Sequence, residues 1–407
     1  MKILLEFVKE HADDETSRLM LEKHKYPGLD ISLAVNCIES RRKLKNKVQE
    51  WYDNPDLLFP LKLSAEQCSS SATGKYKAEL ARRITGKVDW QIADMTGGLG
   101  VDSWFFHKAG AKVIYNEMQS ALCDASRHNF SILGAEEITV INSTVTPGNI
   151  LEAICPDKSE TYPDIVYMDP ARRGQGGRKV FLIEDCTPDI LSLKDEIFRY
   201  SPHILVKLSP MADITMVLKR LGSCCREVHV VASGGECKEL LVWMEREWNG
   251  DATIIAVELN SDGSTSTFSF TADAEKADGA TCTSASILFE PGKALMKAAP
   301  FNLIASRFGI CKLGKSTHYY VTDSPDKAEE LKQYGKVFRI IEWLPLDKRN
   351  IKETGRRYPN SEVTARNIPM DTEVLRKKLG VTSGDDAHIF GLKSDTEGNL
   401  LIIAERI

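Results

Sequence analysis

One stretch, residues 88–119, constrains the fold most strongly because it reads as a strand, a glycine turn, a helix and a second strand. The turn contains three glycines within four positions: Gly97, Gly98 and Gly100. Glycine lets the backbone adopt positive φ and lets a ligand approach without a Cβ in the way. Apolar residues at helical spacing follow over 101–108, and the second strand is predicted to end at Glu117. This order is typical of a βαβ unit in an α/β fold.

Glu117 follows Gly98 by 19 residues. An acidic side chain about 20 residues past a glycine turn can accept hydrogen bonds from ribose hydroxyls, so the unit is expected to bind a nucleoside-containing ligand. A dinucleotide would favour a third glycine where the chain has Ser103, and Asp94 would repel its pyrophosphate. S-adenosylmethionine has a cationic sulfonium and no phosphate, which suits Asp94. A nicotinamide cofactor and a turn without any ligand stay open as alternatives.

A further short strand, 165–168, is followed by Asp169-Pro170 and two arginines. Ligands in open α/β sheets lie at the carboxyl ends of strands, so Asp169 is expected in the same crevice as Asp94 and Glu117. Pro170 fixes the local backbone, and the Asp169 carboxylate can orient a nucleophilic nitrogen or hydroxyl. The predicted catalytic residues are Asp169, Pro170 and Arg172. A turn with a capping aspartate and solvated arginines is the alternative.

Two segments resemble a known family. Residues 94–102, Asp-Met-Thr-Gly-Gly-Leu-Gly-Val-Asp, resemble motif I of class I S-adenosylmethionine-dependent methyltransferases, most closely that of guanine-N2 ribosomal RNA methyltransferases and trimethylguanosine-synthase-like enzymes. Residues 167–172, Tyr-Met-Asp-Pro-Ala-Arg, resemble motif IV. The C-terminal extension is similar to that of bacterial methyltransferases carrying ferredoxin-like and THUMP-like modules. The resemblance implies a Rossmann-like seven-stranded sheet and S-adenosyl-L-methionine as cofactor.

The cofactor contacts that the resemblance implies come from three strand ends. Asp94 and the glycine turn would hold the methionine portion, Glu117 the ribose, and the end of the third strand the adenine. The predicted cofactor-binding residues are Asp94, Thr96, Gly97, Gly98, Gly100, Glu117, Met118, Asn142 and Ser143.

The chain departs from motif IV at one point. Ala171 and Arg172 stand where amino-methylating relatives carry a second proline and an aromatic residue that stacks on the target base. The departure argues against methylation of an exocyclic amine, or moves the stacking to another aromatic residue. The candidates for stacking are Trp104, Tyr167 and Tyr76. No cysteine follows the next predicted strand within 206–211, which argues against covalent C5 methylation of a pyrimidine.

Several residues are predicted to contact the substrate. A serine-rich loop within 63–80 precedes the first strand, and resembling enzymes place such a loop, motif X, beside the methionine end of the cofactor. A simple helix N-cap is the alternative for its serines. The predicted substrate-binding residues are Gln67, Ser70, Tyr76, Arg173 and Lys207.

The net charge of −5 over 407 residues gives no global basic field, so nucleic-acid binding would need a local patch. Residues 331–380 carry 12 Lys/Arg against 6 Asp/Glu. THUMP domains bind RNA, and the resemblance therefore implies an RNA partner, tRNA or rRNA, for this region. A solvated basic surface is the alternative.

The ten cysteines form no Cys-x-x-Cys pair and are predicted to be scattered, unpaired apolar residues, with no metal site. No apolar run reaches the ~18–20 residues of a membrane span. A cytoplasmic location is expected.

Four regions are predicted: an N-terminal helical region (1–86), the methyltransferase domain (87–260), a ferredoxin-like α+β module (281–345) and a THUMP-like module (346–407). The predicted function is methylation of an RNA base, with guanine as a candidate. A protein or small-molecule methyltransferase and a non-catalytic RNA-binding protein are the alternatives.

Overall fold

The computed structural model of the chain describes residues 2–156, 161–172, 183–276, 280–282 and 285–407. The chain forms two compact units. The first comprises Met1–Val228 and Glu239–Asp251, and the second comprises His229–Lys238 and Ala252–Ile407.

Sixteen α-helices lie in the described ranges. They are α1 (Lys2–Glu10), α2 (Thr16–Leu21), α3 (Ile31–Leu44), α4 (Gln49–Tyr52), α5 (Lys62–Gln67), α6 (Ser71–Thr85), α7 (Val101–Lys108), α8 (Ser120–Ile132), α9 (Ile150–Ile154), α10 (Ile190–Tyr200), α11 (Ile214–Leu221), α12 (Lys293–Ala298), α13 (Phe301–Phe308), α14 (Pro325–Leu331), α15 (Lys348–Arg357) and α16 (Thr372–Leu379).

Eighteen strands lie in the same ranges. They are β1 (Trp90–Asp94), β2 (Ala111–Glu117), β3 (Thr139–Asn142), β4 (Ile165–Met168), β5 (Ala171–Arg172), β6 (Cys186–Thr187), β7 (His203–Leu208), β8 (Cys225–Ser233), β9 (Glu236–Glu245), β10 (Thr253–Leu259), β11 (Thr265–Thr271), β12 (Ile287–Pro291), β13 (Cys311–Lys312), β14 (Tyr320–Thr322), β15 (Gly335–Pro345), β16 (Asn360–Arg366), β17 (Thr382–Ser394) and β18 (Gly398–Arg406).

The large sheet has the strand order β11-β10-β8-β9-β7-β4-β1-β2-β3. Strands β3, β2, β1, β4 and β7 are mutually parallel, and β9 pairs antiparallel with β7. The α/β fold class is confirmed, but this sheet has nine strands rather than the predicted seven, because the antiparallel pair β10–β11 extends it beyond β8. The chain order reverses between β1 and β4, and ligands of open α/β sheets bind at such a switch point.

The central strands are apolar on both faces, as expected for parallel strands covered by helices. Ile92 and Ala93 of β1 and Ile165 and Val166 of β4 are fully buried. Strand β1 begins at Trp90 rather than at Val88, whose side chain is 98% exposed. The alternation of apolar residues in the sequence therefore begins at Val88, two residues before the first residue of the strand.

The predicted N-terminal helical region is confirmed, because the described residues before β1 form helices α1 to α6 and no strand. Helices α1, α2 and α3 share one apolar core, which includes Leu4, Val8, Leu19 and Ile38. The Asp30 side chain accepts a hydrogen bond from Leu33 N and thereby caps α3.

The second unit contains a seven-stranded sheet in the order β13-β14-β12-β15-β18-β17-β16. This sheet runs through both predicted C-terminal modules, because the long strand β15 pairs antiparallel with β12 and with β18. Strands β17 and β18 form an antiparallel hairpin that turns at residues 395–397. The described residues of this unit include an apolar core around Leu288, Phe338 and Phe390 and another around Leu375 and Ile389.

The prediction that all ten cysteines are unpaired is wrong for two of them. Cys282 and Cys311 form a disulfide, with their Cα atoms 5.4 Å apart. Residues 280–282 run beside β13, where Lys312 N donates to Ala280 O at 2.7 Å, and this pairing aligns the two cysteines. Because the two cysteines are 29 residues apart in the chain, no short sequence motif marks them as a pair.

Within the ranges given above, no helix is both long and apolar enough to cross a membrane.

Helices α15 and α16 approach closely at Gly355. An added Cβ would lie 1.8 Å from Leu379 O, a backbone atom that cannot move away by rotating a side chain. We expect Gly355→Ala to lower the free energy of unfolding of this unit by about 2 kcal/mol or more, measured by urea denaturation. Gly148→Ala is the matched control, because a Cβ there meets nothing within 4 Å. Equal stability of the two variants would show that the helices are not packed this closely in solution.

Candidate active site

The carboxylate of Asp94 lies at the end of β1, almost fully buried. Its Oδ1 accepts a hydrogen bond from Thr96 N at 3.0 Å, and its Oδ2 accepts one from Ser103 Oγ at 2.6 Å. Burial raises the pKa of Asp94 to about 7, although the hydrogen bonds from Ser103 and Thr96 favour the ionised form. This carboxyl group therefore changes its charge near neutral pH.

The glycine turn connects β1 to α7 and fixes Glu117. Gly98 N donates to Glu117 Oε2 at 3.0 Å, and Gln119 N donates to Oε1 at 2.9 Å. Gly97 packs against the Tyr115 ring, where an added Cβ would lie 2.1 Å from a ring carbon. The end of β2 and the turn are therefore locked together, and the Glu117 carboxylate has a fixed orientation.

The third carboxylate, Asp169, follows β4. Asp169 N donates to Thr96 Oγ1 at 2.6 Å, which ties the end of β4 to the turn after β1. Lys207 on the neighbouring strand β7 donates from Nζ to Asp169 Oδ2 at 2.6 Å. Asp169 is therefore held in place through both its backbone and its side chain.

A cavity of about 200 Å³ opens where these strand ends meet. Its described lining contains four carboxylates, those of Asp94, Asp102, Glu117 and Asp169, and no lysine or arginine. Lys207 pairs with Asp169 and Lys77 pairs with Asp102 from outside this lining. The carboxylates of Asp94 and Glu117 have no such lysine partner among the described ion pairs, and they favour a cationic ligand over a phosphate.

Many predicted site residues line the cavity, and others do not. Those that line it are Gln67, Asp94, Thr96, Gly97, Gly98, Glu117, Met118, Ser143 and Asp169. Those that are described but absent from the lining are Ser70, Tyr76, Gly100, Asn142, Pro170 and Lys207. Arg173 and the side chain of Arg172 lie outside the described residues.

The residues outside the lining have clear structural surroundings. Ser70 forms a capping box with Thr73 at the start of α6, which is the alternative that its sequence context left open. Burial raises the pKa of Tyr76 on the same helix. Asn142 donates from Nδ2 to the carbonyl oxygens of Glu117 and Met118, at 2.8 and 3.1 Å. Asn142 therefore braces the end of β2 rather than facing the cavity.

A cluster of buried charges behind Asp169 was missed in the sequence. Lys77 on α6 is fully buried, and its Nζ donates to Glu239 Oε1 at 3.1 Å and to Ser69 Oγ at 2.5 Å. The same ammonium lies 3.1 Å from Asp102 Oδ1, in an ion pair that lacks the angle of a hydrogen bond. Tyr167 OH donates to Asp102 Oδ2 at 2.8 Å.

The pKa shifts in this cluster have distinct causes. Burial raises the pKa of Glu239, although Lys77 and Lys207 oppose the shift. Burial works in the same direction on Asp102, but Lys77, Lys207 and the hydrogen bond from Tyr167 outweigh it and lower the pKa of Asp102. Burial alone would lower the pKa of Lys207, yet the carboxylates of Asp169, Glu239 and Asp102 raise it above its usual value. Lys207 is therefore a permanent cation.

Among the described residues, no group of three or more His, Cys, Asp or Glu side chains is arranged to hold a metal ion.

Comparison with known proteins shows which families and structures this chain is similar to. Residues 335–406 match the model of a THUMP domain-like family, and residues 288–328 match that of a ferredoxin-like domain. A crystal structure from Porphyromonas gingivalis W83, described provisionally as a methyltransferase, is 28% identical, with a TM-score of 0.85. The alignment covers 99% of this chain and 97% of that chain. A search of curated protein sequences gave no match.

Two further structures, both from Agrobacterium tumefaciens, align with less of the chain. One is described as a predicted O-methyltransferase, with 15% identity, a TM-score of 0.30, and coverage of 40% of this chain and 77% of that one. The other is described as a SAM-dependent methyltransferase, with 17% identity, a TM-score of 0.29, and coverage of 48% and 59%. The expected domain types are confirmed: the chain has a methyltransferase fold and carries C-terminal ferredoxin-like and THUMP-like domains.

Proposed function

We propose that the protein is an S-adenosylmethionine-dependent methyltransferase that acts on RNA. The observation that carries the proposal is the meeting of Asp94, Glu117 and Asp169, from the ends of three parallel strands, in one cavity beside a glycine turn. In this proposal, Asp94 lies at the methionine part of the cofactor, Glu117 at its ribose, and Asp169 at the methyl acceptor.

The residues of the cavity fit S-adenosylmethionine. Its sulfonium and ammonium groups are cationic, and the described lining has four carboxylates and no basic side chain. Each oxygen of Glu117 already accepts one backbone hydrogen bond and has a second lone pair for a ribose hydroxyl. Met118 and Ser143 line the side of the cavity beyond Glu117, where the adenine would lie.

S-adenosylmethionine, when bound, supplies an electrophilic methyl group on sulfur. The protein contributes mainly position, because methyl transfer needs the acceptor atom in line with the methyl and the sulfur. Asp169 would orient the acceptor by accepting its hydrogen, and Thr96 would hold Asp169 at the correct depth.

Support for an RNA substrate comes from the C-terminal domain. Helices α15 and α16 of the THUMP-like region carry exposed lysines and arginines, and Gly355 brings the two helices together. The exposed basic residues are Lys348, Arg349, Lys352, Arg356, Arg357, Lys377 and Lys378. Phosphate contacts by such side chains provide affinity that does not depend on sequence.

Glu117 tests the ribose contact. We expect Glu117→Gln to weaken binding of S-adenosylhomocysteine by about 10-fold to 100-fold, because a charged hydrogen-bond acceptor is lost, as measured by isothermal titration calorimetry. Glu137→Gln is the matched control, since the Glu137 side chain is 82% exposed beyond the site. Unchanged affinity in Glu117→Gln would contradict the proposed cofactor site.

The titration of Asp94 predicts a pH dependence. The pKa of Asp94 is about 7, so its ionised fraction grows as the pH rises from 6 to 8. An ionised Asp94 attracts the cationic cofactor, and we expect affinity for S-adenosylmethionine to increase roughly fivefold to tenfold over this range. Calorimetry at a series of pH values should show a flat profile for Asp94→Asn; the same slope in this variant would exclude Asp94 as the titrating group.

The basic helices test RNA binding. We expect Lys377→Glu with Lys378→Glu to weaken binding of total RNA and to reduce the slope of log affinity against log salt by about 1 to 2, because up to two phosphate contacts are lost. Filter binding over a range of salt concentrations measures both. Lys23→Glu with Lys45→Glu applies the same charge change to exposed residues of the first unit. Equal effects of the two pairs would mean that α16 is not an RNA-binding surface.

A further inference from the structure

Asp169 does not stand alone at the acceptor end of the cavity. Its Oδ2 lies 2.6 Å from Nζ of Lys207, and the side chains keep 36% and 13% of their surface exposed, respectively. The two residues extend from neighbouring parallel strands, paired through Met168 and Val206. Lys207 is not among the residues that line the cavity, but its partly exposed ammonium lies directly beside the Asp169 carboxylate, which does line it. An acceptor atom hydrogen-bonded to Asp169 Oδ2 can therefore lie about 3 Å from the Lys207 ammonium as well.

The surroundings keep Lys207 cationic and fixed. The negative charges of Asp169, Glu239 and Asp102 favour the protonated form of Lys207 and raise its pKa. A second ammonium, that of Lys77, is held by Glu239 and Asp102 and prevents these two carboxylates from facing each other unneutralised. Lys207 is thus a hydrogen-bond donor at any physiological pH, and it cannot accept a proton from the substrate.

The number of lone pairs on the acceptor atom decides whether it can hydrogen-bond to Lys207 and still attack the methyl group. A neutral amine or ring nitrogen has one lone pair, which must point at the methyl group, so it has none left for an ammonium donor. A hydroxyl oxygen has two lone pairs and one hydrogen. It can accept from Lys207 with one lone pair, attack with the other and donate its hydrogen to Asp169.

We propose that the acceptor is a hydroxyl oxygen, held between the Lys207 ammonium and the Asp169 carboxylate. This inference rests on the proposed function, and on RNA the group with this chemistry is the ribose 2′-hydroxyl. In the step, the oxygen–methyl bond forms as the methyl–sulfur bond breaks, the electron pair of the broken bond stays on sulfur, and the hydroxyl proton passes to Asp169. A carboxylate is a strong enough base, because the oxygen becomes acidic as the methyl group bonds to it.

The Lys207–Asp169 pair also suggests a role for the other buried charges. Lys77 and Glu239 do not reach the acceptor; they fix the charges around Lys207, and so they are positioning residues. The proposal replaces the expectation of a methylated base, which rested on a motif that lacks its aromatic residue at position 172.

The position of the methyl group in the product tests the proposal directly. RNA from a strain lacking this gene would be incubated with the full-length protein and S-adenosylmethionine carrying a tritiated methyl group. Methylation of a 2′-hydroxyl blocks alkaline cleavage, so we expect the label in alkali-resistant dinucleotides. Label on free bases after acid hydrolysis would overturn the hydroxyl proposal and leave RNA methylation standing. RNA without label would overturn both the proposed RNA substrate and the hydroxyl proposal.

Lys207 gives a second test. We expect Lys207→Met to lower kcat about 100-fold to 1000-fold, since a fixed cation beside the reacting oxygen is lost, with affinity for S-adenosylhomocysteine within about threefold. Lys207→Arg keeps the charge and should recover part of the rate. Lys87→Met removes another lysine–aspartate pair, Lys87–Asp164 at the opposite ends of the strands, and serves as the control.

Rate and cofactor affinity, measured on the same preparation, separate a role in catalysis from a role in folding. A misfolded Lys207→Met would lose affinity for S-adenosylhomocysteine together with the rate, whereas loss of the ammonium alone lowers only kcat. Transfer that is unchanged or faster in Lys207→Met, or affinity that falls in parallel with the rate, would overturn the proposal.

Discussion

Parallel pairing of β1 with β2 and β4 places Asp94, Glu117 and Asp169 at one edge of the sheet. Asp94 and Glu117 end β1 and β2, and Asp169 directly follows β4, so the register of the ladder decides that the three side chains share a cavity. The hydrogen bonds of Gly98 to Glu117 and of Asp169 to Thr96 then hold these ends together. A shift of one residue in either pairing would turn a carboxylate towards the opposite face.

The buried charges behind the cavity are expensive in solvation free energy. Each desolvated ion costs several kcal/mol, and an apolar cluster of similar volume would often be at least as stable. Lys77, Asp102 and Glu239 are nevertheless nearly or fully buried, and the two carboxylates stabilise the Lys207 ammonium. An arrangement that stability alone does not favour is understandable if it holds a cation at a fixed point beside Asp169.

The fold and half of the site could be predicted because their signals are local. The glycine turn and the spacing to Glu117 lie within one βαβ unit, and the Asp169 motif ends a single strand. Lys77 and Glu239 are 162 residues apart, and neither position differs in sequence from an ordinary exposed charge. Ser70 and Asn142 were placed in the site, but a helix cap and two carbonyl oxygens take up their polar groups. The edge strand β11 and the Cys282–Cys311 disulfide depend on tertiary pairing that no local pattern reveals.

Asp169→Asn tests the central claim, that the cavity binds the methyl donor at one end and orients the acceptor at the other. Its affinity for S-adenosylhomocysteine and its rate of methyl transfer to RNA should be measured on the same preparation. The account predicts an affinity within about threefold of the unaltered protein and a rate lower by about 100-fold or more. Loss of affinity in parallel with rate, or transfer at an unaltered rate, would contradict it.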